Sequence, residues 1–187
     1  MDREKGSGLM RYLGLLAMAI GCIGIGFLAA DGWKERLEIL KLLRQMIYHL
    51  KGRILYANET LPEALGEVGS RFEEGRTGML LEPGKLFLRV KERMEQDRSL
   101  PFFVVWKEEI EKLPADFPMD KADRQALVAL GENLGYADRE MQERTLLFYL
   151  EQTDDSIRYL KKELEGRMTL YRGLGMAAGL FLLVVLA

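Results

Sequence analysis

Most of the residues from which reactive sites are built are scarce in this chain. Cysteine occurs once, as Cys22, and histidine once, as His49. A single thiol forms no intramolecular disulfide, and one histidine with no cysteine beside it falls short of the three or four ligands a zinc site needs. Phosphate loops of the G-x-x-x-x-G-K-[ST] type, G-x-S-x-G elbows and H-E-x-x-H pairs are all missing. Gly24, Gly26 and Ala29 match a relaxed dinucleotide fingerprint, but they lie inside an apolar run with no strand before it, so no cofactor is expected there. The carboxylates Glu108, Glu109 and Glu111, and the pair Asp154 and Asp155, read as solvated faces of mixed-charge helices. His49, next to Ile47 and Leu50, reads as a partly buried structural residue. No enzyme, cofactor or metal site is expected.

Proline is also restricted. All 5 prolines fall between Pro62 and Pro118, which leaves both flanks free to form long helices. No segment shows the strict apolar–polar alternation of a half-buried strand. From Trp33 to Ala57 the residues Leu37, Leu40, Leu43, Ile47, Leu50 and Ile54 recur at spacings of three and four, one apolar stripe of an amphipathic helix. Thr60-Leu61-Pro62-Glu63 has the pattern of a capping box opening a second helix, which should end in the glycine-bearing stretch from Gly75 to Gly84. Pro83 and Pro101 should open a third and a fourth, and Pro114 and Pro118 should enclose a turn. A fifth is expected over Lys121–Leu134 with Gly135 as a left-handed cap. Asp138 is expected to cap a last helix whose stripe is Leu150, Ile157, Leu160, Leu164, Met168 and Tyr171, running unbroken to the C-terminus. The expected fold is all-α, a bundle of about six helices.

Charge of one sign is not in excess: 27 Lys and Arg face 29 Asp and Glu, a net of −2. The signs are interspersed, so neither the basic stripe of a nucleic-acid binder nor an acidic tail is present. What the chain does have is two uncharged apolar ends. Residues 12–30 are long enough, at about 1.5 Å per helical residue, to cross a hydrocarbon core of roughly 30 Å. Residues 173–187 make a shorter span, extended by Leu170 and Tyr171 once Arg172 snorkels to the head groups. The expected organisation is therefore a tail at 1–11, a transmembrane helix at 12–30, a bundle at 31–172 and a short transmembrane helix at 173–187. Basic residues cluster on the inner flank of each span, from Lys34 to Arg53 and from Arg158 to Arg172, placing the bundle in the cytoplasm and both termini outside. A cleaved signal peptide is the competing reading of the N-terminus, disfavoured by the length of its apolar run. Ala17 and Gly21, and Gly175 and Gly179, carry small residues at the spacing that lets membrane helices approach closely.

Three local patterns carry a resemblance. The basic first helix leads into Ile54-Leu-Tyr-Ala-Asn-Glu-Thr-Leu-Pro-Glu-Ala-Leu65, an aromatic segment Phe103-Val-Val-Trp106 lies near the middle, and Leu130-Gly-Glu-Asn-Leu-Gly135 precedes Tyr136-Ala-Asp138 and Gln142. With the two terminal spans, these resemble the stage III sporulation protein AB family of endospore-forming bacteria over nearly the whole chain. That family is also similar to the cytoplasmic domain of the type II secretion platform protein.

The resemblance implies a non-enzymatic membrane scaffold of the secretion complex that joins mother cell and forespore, in the mother-cell membrane facing the forespore. The partners it implies are a cytoplasmic secretion ATPase, the companion AA protein, and other components of the same complex; self-association into a homo-oligomer is compatible with it. An adaptor that holds some other cytoplasmic partner at the membrane, unrelated to secretion, is the alternative. Leu130, Gly131, Gly135 and Asp138 mark a tight turn between two helices, read either as a partner surface or as a cap and a close crossing.

Overall fold

The computed structural model describes residues 32–135 and 138–186, and for residues 167–186 the helical path of the chain alone. Among the described residues there are six α-helices and no strand. We name them α1 (32–55), α2 (Leu61–Glu73), α3 (Glu82–Gln96), α4 (Phe102–Glu111), α5 (Lys121–Leu134) and α6 (Arg139–Leu186), with a 3₁₀ turn at Gly78–Leu81 before α3. The described residues divide into two units, one within residues 35–161 and one that includes residues 32–34 and 162–186.

Residues 35–161 hold the helical bundle, in which α2 packs on α3, α3 on α4 and α4 on α5. Every member of the expected α1 stripe is buried, but so are Ile39, Leu42 and Met46. These three widen the buried arc to more than half the circumference, while Lys34, Glu35, Glu38 and Gln45 remain exposed, so α1 is amphipathic with a broad apolar face. Counting one stripe at spacings of three and four missed the width of that face, because Ile39, Leu42 and Met46 fall beside the stripe.

Helix ends follow the sequence signals closely. The amide and hydroxyl of Thr60 both donate to Glu63, at 3.0 and 2.7 Å, which anchors the start of α2. α2 ends at Glu73, just before the expected glycine-bearing stretch from Gly75 to Gly84, in which Gly75 and Gly78 take φ of 73° and 61°, conformations open to glycine. Pro101 is the N-cap of α4, and Phe117 donates its amide to the Pro114 carbonyl to close the turn between α4 and α5. Asp120 Oδ1 accepts from the Asp123 amide at 2.8 Å and caps α5.

One cap departs from expectation. Gly135 has φ −77°, in the right-handed region, so it is not a left-handed cap. Its reason is space: a Cβ there would stand 3.0 Å from the Phe102 Cβ.

Of the two expected spans, residues 12–30 lie outside the described residues. Residues 173–186 continue α6 as helix, with their side chains outside the description. Among the described residues, no helix is long and apolar enough to cross a membrane.

Candidate functional site

The pattern Leu130-Gly-Glu-Asn-Leu-Gly135…Asp138…Gln142 folds into the corner where α5 gives way to α6. Leu130 and Leu134 are buried in the core. The Trp106 ring packs against α5 at Gly131, where a Cβ would come within 2.2 Å of the indole. Its N–H donates 2.7 Å to the Leu127 carbonyl, so a fully buried indole keeps its hydrogen bond. Phe87 and Phe102 complete the cluster, each with its ring centroid 5.6 Å from that of Trp106. Beyond the corner, Asp138 Oδ1 accepts from the Glu140 amide at 3.0 Å and caps α6, as expected. Gln142 Nε2 donates 2.9 Å back to the Leu134 carbonyl, satisfying the end of α5 from the first turn of α6.

Leu130 and Gly131 are buried, Gly131 against Trp106, while Leu130 also lines the surface groove beside the corner. Gly135 and Asp138 are exposed, but each has a structural duty already described. Ala17 and Gly21 lie outside the described residues, and Gly175 and Gly179 lie on α6 where only the helical path is described.

Next to this corner the surface opens. A groove of about 330 Å³ runs between α5 and α6. Ala126 and Ala129 supply small side chains from α5, Tyr149 supplies a buried ring, and Met141 and Phe148 stand up from α6. Phe148 is 67% exposed, an unusual position for phenylalanine on a helix whose other face is packed. A smaller cavity of about 30 Å³ between Leu40, Asp123, Tyr149 and Thr153 has room for roughly one water.

The polar clusters elsewhere are structural. Glu109 is 1% exposed, against the expectation of a solvated face. It bridges α3 and α4 by accepting from Arg89 and Arg93 at 3.0 Å each and from Lys112 at 2.6 Å. Burial pushes its carboxyl upward, and the hydrogen bonds from Lys112, Arg93 and Arg89 outweigh that, leaving its pKa below the usual range. Arg36 ties α1 to the start of α5 through Asp123 at 2.7 Å and Asp120 at 2.6 Å. Arg44 grips both oxygens of Asp154 on α6, which lowers the carboxyl through that hydrogen bond. Arg139 donates to the Ile54 and Leu55 carbonyls, closing the end of α1. His49 is half-buried with its ring 5.4 Å from Phe72, and desolvation, then Arg71 and Arg53, lowers its pKa. Among the described residues no three His, Cys, Asp or Glu gather to hold a metal. The arrangement is suited to binding, with the α5–α6 groove as the open surface.

Comparison with known proteins agrees with the resemblance read in the sequence. The model of the stage III sporulation protein AB family matches residues 11–187. The stage III sporulation protein AB of Bacillus subtilis (strain 168) is 22% identical over 179 residues, spanning 95% of this chain and 99% of its own. A solved structure of a stage III sporulation protein AB superposes with a TM-score of 0.60 at 19% identity, over 70% of this chain and 97% of that one, which shows a shared fold.

Proposed function

The chain belongs to the stage III sporulation protein AB family and so has a role at that stage of sporulation; we propose that it plays this role as a non-enzymatic membrane scaffold of the mother cell to forespore secretion complex. In this reading the bundle lies in the mother-cell cytoplasm and both ends insert in the membrane that faces the forespore. A cytoplasmic secretion ATPase docks on the bundle, and its movements reach the membrane through the helices.

One observation carries the proposal. α6 is a single helix of 48 residues, Arg139–Leu186, about 72 Å at 1.5 Å per residue. It starts at the capped corner, passes the groove and continues into the apolar C-terminal run. A helix transmits displacement or rotation along its axis, whereas a flexible linker dissipates it. Gly166 and Gly173, each weakening a helix by about 1 kcal/mol relative to alanine, both lie within it.

The test uses the whole tagged chain in sporulating cells. We expect it to resist carbonate extraction from membranes and to co-purify with the secretion ATPase. Release by carbonate would overturn the membrane placement, and membrane retention with no ATPase would favour an adaptor unrelated to secretion.

A further inference from the structure

We infer that the α5–α6 groove is the seat of an amphipathic partner helix with an apolar anchor and flanking Lys or Arg residues. The groove is lined by the small side chains of Ala126 and Ala129, by the buried Leu130 and Tyr149, and by the exposed ring of Phe148. Such a channel accepts a helix that presents apolar side chains at i, i+3 or i+4 and i+7.

The rim specifies the charge of the guest. Glu132 lines the groove on the α5 side, and Glu151 stands one helical turn beyond Phe148 on α6. Both are exposed, and neither carries a salt bridge among the described residues. The only base among the lining residues, Arg144, is paired with Glu140 at 2.8 Å. Further along, Arg158 is paired with Asp155. Arg158 also attracts Glu151 at longer range, and Glu143 on α6 is exposed and in no salt bridge among the described residues. Acids outnumber bases along this stretch of α6, and the rim stays acidic. A basic guest finds both an anchor and two counter-charges.

The same rim disfavours two other occupants. A second copy facing this groove about a two-fold axis would bring its own acidic rim against this one, since such an interface pairs like surfaces. Anionic lipid head groups would meet the same repulsion.

This inference deepens the scaffold reading by giving its docking surface a chemistry, and the experiment separates the two. The full chain in nanodiscs of zwitterionic lipid is titrated with a fluorescent helical peptide bearing leucine anchors and Lys flanks, and with its Glu-flanked counterpart. We expect saturable binding of the Lys peptide and at least tenfold weaker binding of the Glu peptide. Phe148→Ala and the pair Glu132→Lys with Glu151→Lys should each weaken the Lys peptide at least tenfold at unchanged melting temperature, and Tyr56→Ala, exposed elsewhere, should not. Equal binding of both peptides, no effect of the groove variants, or a dimer that dissociates on Phe148→Ala would each overturn the inference. Capture of the ATPase by groove variants at wild-type level would remove the groove while leaving the scaffold. Groove-dependent peptide binding by a chain that never captures the ATPase would do the reverse.

Discussion

The two faces of α5 are built from residues of nearly the same size and do opposite things. On one face Gly131 and Gly135 lie under Trp106 and Phe102, so close that a methyl group would stand 2.2 Å from the indole and 3.0 Å from the Phe102 Cβ. On the other face Ala126 and Ala129 line a groove of about 330 Å³ that no helix of the described residues fills. Small residues make a tight crossing where a partner helix closes over them and an open channel where none does. The sealed face should therefore be intolerant of added volume, and the open face indifferent to it.

The largest expected effect is on the sealed face. Gly131→Ala must displace a fully buried indole, an overpacking that costs about 3 kcal/mol. It should lower the melting temperature by several degrees, whereas Ala129→Leu should stay within about 0.5 kcal/mol of wild type. If both substitutions cost the same, the contrast between the faces is wrong.

Next comes the buried carboxylate. Glu109→Gln should cost about 2 kcal/mol, since hydrogen bonds to a charged group are lost and the partly exposed cations are discounted for solvent screening. The pH dependence sharpens this. Glu109 lies below its ordinary value, so the unfolded chain binds protons first as the pH falls. Its contribution is complete above the unfolded carboxyl range and is lost as the pH drops through the lowered native value. Melting curves between about pH 6 and pH 3 should fall less steeply for Glu109→Gln than for wild type.

Asp138→Ala should cost about 1 kcal/mol as a lost helix cap and leave peptide or partner binding unchanged. If binding drops at unchanged stability, the corner is itself a docking surface. The smallest effect is expected at Asn58, which holds φ of 60° between α1 and α2. Asn58→Gly should change stability by less than about 1 kcal/mol, and Asn58→Val should destabilise measurably by chemical denaturation.

Much of the fold could be read from particular residues. Pro83 and Pro101 lie at the starts of α3 and α4, the range Lys121–Leu134 is that of α5, and Asp138 caps α6. These signals are local, acting within one helical turn. The errors were non-local. Gly135 looked like a left-handed cap because glycine so often is one, but its place is set by Phe102, 33 positions earlier. Glu109 looked solvated because its sequence neighbours are charged; its burial comes from α3, whose arginines lie 16 and 20 residues away. The groove carried no signal, since Ala126, Ala129 and Phe148 are ordinary helix residues until α5 and α6 lie side by side.

Composition and spacing, then, determined that the described residues fold as helices without strands and where most of those helices begin and end. Those properties depend on backbone preferences and periodicity, which a linear string records. Only the tertiary structure decided which small residues are sealed and which lie open, and which carboxylate is matched and which left over. Both depend on distances between residues far apart in the chain.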